Sequence, residues 1–594
     1  MQLDTMPLTP NGKLDRNSLP MPDRNAGTVM YVPPRDMVEM VLCDIWKDVF
    51  QLEKVGVQDN YFNLGGDSIL SIRVVGMLKE RGFNVSIKDL FQYQTIEHLA
   101  LHVKLSTSNE HLAKWEPFVL LDEKEQARYN QKCEYEDAYP MSSLQLGMVF
   151  HTQFENFNGV YHDIISDHVK CPWNKKCFEE ALTSCVQENP ILRTGFCLDG
   201  DRPLQHVYAA IETPLTVEDL RCLTSQEQDI YISEWVEKRK RHVFDWDNGP
   251  LLSIYIFRRT DADFECAISF HHAILDGWSL ATLKTMLYNR YMDRLEGRPL
   301  ISDMVDRTYW HFVALEEKAL ANAAAKDYFS TMLEDAPTAQ LPRSKNVSSI
   351  PSQGRLVVDS FKALSSHLIT LSKELGVPLQ AILLAAHFKV LSTICGQSRV
   401  TSCVVHNGRP EIVGAERGLG LFLNALPQSL VLPDGSWREL IETVAELTAK
   451  SIAYRNYPLS RIQQDTGLSF SEVLFNYTHF HAYNELTRGH IENLDIKASN
   501  GFEKTNYGMV VNLSRGISDD NISLIFVYDE QSFDKELISR FGDYYLTACK
   551  QLLANLEQRH NHESLLSDAE RTLLLETWNQ TEAPYPHDLC IHQL

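Results

Sequence analysis

From Asp36 the apolar residues Val38, Val41, Leu42, Ile45, Trp46 and Val49 recur at three- and four-residue steps, which predicts an amphipathic helix. A second helix is expected beside Gly65-Gly66-Asp67-Ser68, with Ile69, Ile72, Val75 and Leu78 on its repeating face, and a last short one carries Ile96, Leu99 and Val103. This pattern reads as a small helical unit over residues 36–105. Before it, residues 17–36 carry four prolines and a glycine among polar residues, which places a linker at 21–35. After it, residues 105–117 (LSTSNEHLAKWEP) are polar and broken, so a second linker is expected over 106–134.

The pattern then changes character. LLSIYIF (251–257), FECAISF (264–270), RVTSCVV (399–405) and NISLIFVY (521–528) are apolar, β-branched runs that read as strands. Helical windows at 279–294, 377–394 and 437–452 interleave with them. The result is a mixed α/β body of more than 400 residues, too large for one core and therefore expected to divide into lobes near residue 305. No internal repeat of 20 to 50 residues is visible.

Composition adds limits. At 594 residues the chain needs several folded units, and 44% hydrophobic, 23% charged and 10% aromatic residues exclude wholesale disorder. A net charge of −23 argues against nucleic acid or anionic membrane as the main partner. The twelve cysteines stand singly with no CxxC pair, so no zinc or thioredoxin-type site is indicated and reduced thiols in a cytoplasm are expected. The most apolar long window, 377–394, is interrupted by Gln380, His387 and Lys389 and reads as a core helix, not a membrane span. The start, MQLDTMPLTPNGKLDR, lacks the features of a secretory signal, and the finish, CIHQL, is abrupt, so an excised piece of a longer chain is expected.

In Leu64-Gly65-Gly66-Asp67-Ser68-Ile69 paired glycines allow a tight turn, and Ser68 stands at the start of a helix, where free N–H groups favour an anion. An ordinary Ser N-cap would leave the same trace. The wider pattern D-x-Y-F-x-L-G-G-D-S-I resembles the attachment site of peptidyl carrier domains. That resemblance implies a four-helix carrier over 36–105 and 4′-phosphopantetheine on Ser68, with Asp67 as acidic neighbour. Upstream, MPLTPNGKLDRNSLP resembles the end of an adenylation domain of nonribosomal peptide synthetases, here a remnant over 1–20. The lysine of its P-N-G-K-x-D motif, Lys13, would contact an acyl-adenylate and is expected to be idle in so short a remnant.

His271-His272 is the only adjacent histidine pair and lies between a predicted strand and a predicted helix. With Asp276 and Gly277 it brings imidazole and carboxylate into one loop, with Gly277 expected to take backbone angles that a Cβ would forbid. A metal reading is weak, because adjacent histidines point apart and no third ligand is suitably spaced. HHAILDGWS is the H-H-x-x-x-D-G motif of the condensation-domain superfamily, which resembles chloramphenicol acetyltransferase folded twice in one chain. The flanking stretches 141–151, 189–196, 404–410, 418–427 and 455–463 resemble the superfamily's other core motifs in order.

The resemblance implies two acetyltransferase-like lobes in a V-shaped pseudodimer, over 135–305 and 306–575, and a lead into a following adenylation domain over 576–594. In the catalytic set His271, His272, Asp276 and Gly277, it makes His272 the residue that deprotonates or positions the acceptor amine and stabilises the tetrahedral intermediate. His271 is expected to be structural, Asp276 to pair with Arg409, Trp278 to pack beneath the loop, and Asn424 to lie near the tunnel. The implied reaction joins an upstream donor thioester to a downstream aminoacyl thioester without metal. The implied partners are the neighbouring adenylation and carrier domains and a phosphopantetheinyl transferase, with the chain itself monomeric.

Three alternatives share these motifs. The LGGDSI form of the carrier motif favours an epimerization domain. A dual condensing and epimerizing domain would show a second HH-x4-GD, but the matching stretch, FHTQFENFNG, has Thr152 at the second histidine and no GD. An inactive scaffold that only docks carriers is opposed by the intact His272, Asp276 and Gly277.

Overall fold

The computed structural model describes residues 31–105, 114–129, 133–154, 159–200, 202–300, 304–345, 347–348, 352–479, 495–502, 504–516, 520–582 and 590–593. Lys13 and most of the first expected linker lie outside these. The chain forms two compact units, divided between Thr107 and Ser108.

In the small unit four helices form where the apolar spacing requires them: α1 (Met37–Phe50), α2 (Ser68–Glu80), α3 (Ile87–Gln92) and α4 (Ile96–His102). The Asp36 carboxylate opens α1 by accepting the Glu39 N–H at 2.9 Å, and Leu42, Ile45, Trp46, Val75, Leu78 and Leu99 are fully buried between the helices. An aromatic cluster of Trp46, Phe50, Tyr61 and Phe62 fills the space below the glycine turn.

The large unit begins earlier than the composition suggests. Residues 114–129, read as linker, are anchored on it: Leu121 and Tyr129 are buried, and the Trp115 indole N–H donates to Asp137 at 2.9 Å. These few anchors in a polar stretch order it, although they make no periodic pattern.

The strands are β1 (Tyr135–Pro140), β2 (His162–Lys170), β3 (Thr194–Cys197), β4 (Leu204–Tyr208), β5 (Leu215–Asp219), β6 (Leu252–Arg258), β7 (Phe264–His271), β8 (Gln353–Val357), β9 (Arg399–Asn407), β10 (Leu423–Val431), β11 (Val473–Thr478), β12 (Asp495–Phe502), β13 (Met509–Arg515) and β14 (Ile522–Asp529). The first half holds a five-stranded sheet in the order β12-β2-β7-β6-β5 and a small sheet β1-β4-β3; the second half holds a six-stranded sheet β8-β14-β13-β11-β9-β10. The helices used below are α5 (Ser143–Phe154), α6 (Lys175–Glu188), α7 (Gly277–Leu295), α8 (Thr308–Leu320), α9 (Leu379–Cys395), α10 (Trp437–Ile452) and α11 (Lys535–Ala554).

Each large sheet has its own core, and α9 is the buried centre of the second, so the apolar window 377–394 packs inside the protein. Among the described residues no single helix is long and apolar enough to cross a membrane.

The halves are joined more closely than a division at 305/306 implies. Strand β12 pairs antiparallel with β2 in the first sheet, and Tyr309, Trp310 and Phe312 of α8 are buried in the first core together with Leu419, Leu421 and Phe422. These crossings bring second-half residues beside the histidine loop.

Candidate active site and carrier serine

The carrier turn is fixed by fit. A Cβ added to Gly66 would lie 2.3 Å from the Tyr61 ring, and Gly65 takes φ +100°, so both glycines are required. The Tyr61 hydroxyl donates to the Asp67 carbonyl at 3.1 Å, and Ser71 Oγ donates to the same oxygen at 2.6 Å. Asp67, not Ser68, is the N-cap: its Oδ1 accepts the N–H groups of Ile69 and Leu70, both at 2.9 Å. This corrects the expectation of free helix N–H groups waiting for the phosphate, since a carboxylate already holds two of them. Ser68 is left exposed at the first helical position, and its hydroxyl has no hydrogen-bond partner among the described residues. A phosphodiester on that oxygen fits, because Ser68 is exposed and the turn before it is packed against the Tyr61 ring.

In the large unit β7 ends at His271, and α7 starts at Gly277, so the motif spans a five-residue loop. Its members separate by burial. His271 is fully buried; its Nδ1 accepts the Ala273 N–H at 3.2 Å, which puts the ring proton on Nε2, 3.0 Å from Thr152 Oγ1. Thr152 in turn donates to the carbonyls of Met148 and Val160. Burial, with His272 and His162 adding to it, keeps the His271 ring neutral well below the usual histidine range. His271 thus ties the strand to α5.

His272 is different: 22% of its side chain is accessible. Its backbone N–H donates to the Tyr161 carbonyl at 2.8 Å, the two rings lie parallel with centroids 6.5 Å apart, and Nδ1 stands 2.9 Å from Asp163 Oδ2.

Asp276 is buried and makes the start of α7. Its Oδ1 accepts the Ser279 N–H at 2.7 Å and its Oδ2 the Phe422 N–H at 3.0 Å. The structure brings Arg409, fully buried, to 3.5 Å from Oδ1, but its shorter bond, 2.8 Å, is to Ser279 Oγ. The guanidinium lies 4.0 Å from the Phe422 ring centroid, and burial pushes its pKa down against the opposing pull of Asp276. Trp278 is buried and its indole N–H donates to the Glu416 carbonyl at 2.7 Å. Gly277 does not take positive φ, contrary to expectation. Asp276 as N-cap turns the chain, and Gly277 is an ordinary first helical residue. Asn424 is held in the second half, its amide donating to the carbonyls of Arg455 and Tyr457 at 2.9 and 2.7 Å.

Sequence reasoning missed Asp163, Ser279, Tyr161 and Asn506. The Tyr161 hydroxyl donates to Asn506 Oδ1 at 2.5 Å, and Asn506 Nδ2 contacts His151 Nε2 at 3.0 Å, which carries the second half of the chain to the loop. The signal for Asp163 was present: in HDIISDHV two acids, Asp163 and Asp167, share one strand face four residues apart. Both are buried, and Asp167 is bound to Lys284 and Tyr288 of α7 at 2.8 and 2.9 Å.

The exposed Ser68 on its glycine turn in the small helical unit and the partly accessible His272 in the large α/β unit are the two candidate chemical positions. Residues 41–103 match the phosphopantetheine attachment site family, and residues 135–575 match the condensation domain family. The AMB antimetabolite synthetase AmbE of Pseudomonas aeruginosa is 32% identical over 498 residues, covering 81% of this chain and 23% of that protein. Surfactin synthase subunit 1 of Bacillus subtilis is 26% identical over 610 residues, covering 100% of this chain and 16% of that protein. The chain thus spans a quarter or less of the length of these relatives. In fold it is similar to a four-domain nonribosomal peptide synthetase bound to AMP and glycine (TM-score 0.60, 16% identity, 78% of this chain and 35% of that one). It is also similar to the condensation domain of the monacolin K polyketide synthase MokA (TM-score 0.59, 15% identity, 72% and 100%). The chain belongs to the condensation-domain family, with a phosphopantetheine carrier domain ahead of it in the arrangement of nonribosomal peptide synthetases.

Proposed function

We propose that the large unit forms an amide bond between a donor held on Ser68 and the amine of an aminoacyl thioester carried by a downstream domain. One observation supports this most: of the motif's titratable residues, His271 and Asp276 are buried and bonded, while His272 keeps an accessible face. Phosphopantetheine on Ser68 would supply the thiol that carries the donor as a thioester. His272 receives the proton of the attacking amine, and Asp276, Arg409 and Trp278 hold the loop that aims it. Most of the acceleration comes from holding two tethered reactants together, with about 10²–10⁴-fold from the positioned imidazole. The partners are then the neighbouring adenylation and carrier domains and a phosphopantetheinyl transferase, in the cytoplasm.

Epimerization has weaker support. Thr152, where a dual domain would carry its second histidine, is buried and fully engaged by His271 and two carbonyls.

The test is to load Ser68 from an aminoacyl-coenzyme A with a phosphopantetheinyl transferase and add a separate aminoacyl carrier domain. Mass spectrometry should find dipeptidyl thioester on the second carrier with the donor's chirality unchanged, and Ser68→Ala should give none. An inverted donor without dipeptide would establish epimerization instead.

A further inference from the structure

Strand β2 carries Asp163 on the face that meets the histidine loop. The carboxylate is buried, and its Oδ2 lies 2.9 Å from His272 Nδ1, an ion-pair distance at which the ring N–H is not aligned for a hydrogen bond, and Nδ1 is sealed from solvent although part of the ring is accessible. The same three-residue stretch holds His272 at two further points, since the Tyr161 carbonyl accepts its N–H at 2.8 Å and the Tyr161 ring lies parallel to the imidazole. Tyr161 is itself pinned, its N–H donating to the Lys504 carbonyl at 2.9 Å and its hydroxyl to Asn506 at 2.5 Å. Four residues on, Asp167 binds Lys284 of α7 at 2.8 Å, so the strand clamps both the loop and the helix that follows it.

We propose that Asp163 is a positioning residue for His272, a carboxylate that fixes the imidazole proton on Nδ1 and turns the Nε2 lone pair toward the acceptor amine. This rests on the amide-forming reading above. A buried carboxylate beside one ring nitrogen selects the tautomer with hydrogen there and stabilises the imidazolium formed when the other nitrogen takes a proton. In the reaction the amine nitrogen bonds to the thioester carbonyl carbon and the C–S bond breaks. The amine's surplus proton passes to His272 Nε2 and on to the departing thiolate, so the products are an amide and a thiol and His272 ends neutral. Asp163 neither gains nor loses a proton.

The test is a double-mutant cycle on the Ser68-loaded full chain, with the purified aminoacyl carrier as acceptor. Asp163→Asn should lower the transfer rate constant about 10- to 100-fold, a share of what a positioned acid–base group contributes, with little change in the acceptor KM. Added to His272→Ala, it should cost nothing more, because its effect runs through the imidazole; Asp163→Glu should recover part of the rate. A second readout is independent of turnover. The imidazole ¹⁵N resonances of His272, identified by their loss in His272→Ala, should report the Nδ1–H form in the parent and a mixture in Asp163→Asn. Wild-type rate in Asp163→Asn, or an equal cost in both backgrounds, overturns the positioning role while amide formation stands. Wild-type rate in His272→Ala overturns both. Should Asp163→Asn fail to fold, Asp163→Ser, smaller and uncharged, runs the same cycle.

Discussion

Asp276→Ala separates a holding role from a chemical one. The substitution strips the Phe422 N–H of its acceptor, removes the cap on Ser279, and leaves Arg409 with no acidic partner within 4 Å among the described residues. An uncompensated buried charge costs about 3–5 kcal/mol, a lost cap about 1 and a buried unpaired N–H about 1–3. One carboxylate serves all three, so the effects overlap, and about 4–6 kcal/mol is the expected total. Thermal unfolding followed by circular dichroism should show the first lobe melting on the order of 10 °C lower. Arg409→Met in the Asp276→Ala background should restore part of the loss, because it removes the stranded guanidinium. If Asp276→Ala melts with the parent yet forms no dipeptide, the carboxylate acts in the chemistry and the structural assignment is wrong.

Gly66→Ala should destabilise the carrier unit by about 1–3 kcal/mol, since the Tyr61 ring it strikes is itself packed against Trp46 and Phe62; an unchanged carrier melting temperature would contradict this. Burial pushes His387 and His162 down to about 3. Their stabilising neutral forms are complete above the unfolded value near 6.5 and lost as pH falls toward 3, about 2 kcal/mol each by pH 5, which urea midpoints at pH 7 and 5 should show. Glu316 runs the other way. Burial pushes it up to about 7, so its contribution is present below about 4.5 and lost as pH rises through 7. Glu316→Gln should therefore stabilise at pH 8.5 by up to about 3 kcal/mol and have little effect at pH 4; equal effects at both would refute it.

The regular elements were legible because each carries its own local signal, a helical apolar spacing or a continuous apolar run. The helix expected at 437–452 is α10 over Trp437–Ile452, and the run 264–270 is β7 over Phe264–His271. Ordered motifs marked Ser68 and His272 for the same reason: tight turns and loops constrain neighbouring residues in sequence. What stayed hidden is long-range. The carboxylate nearest His272 comes from residue 163, the hydroxyl nearest Arg409 from residue 279, and the clamp on Tyr161 from residue 506. No local spacing encodes such pairs. The Gly277 expectation failed instructively, because a capping aspartate turned the chain where glycine was credited.

The most direct measurement of the central claim is single-turnover transfer from Ser68-loaded chain to an aminoacyl carrier domain, comparing the parent with His272→Ala at equal Ser68 loading. The account predicts dipeptidyl thioester forming at least about 100-fold more slowly in the variant, with loading and melting unchanged. Equal rates in the two proteins would contradict it.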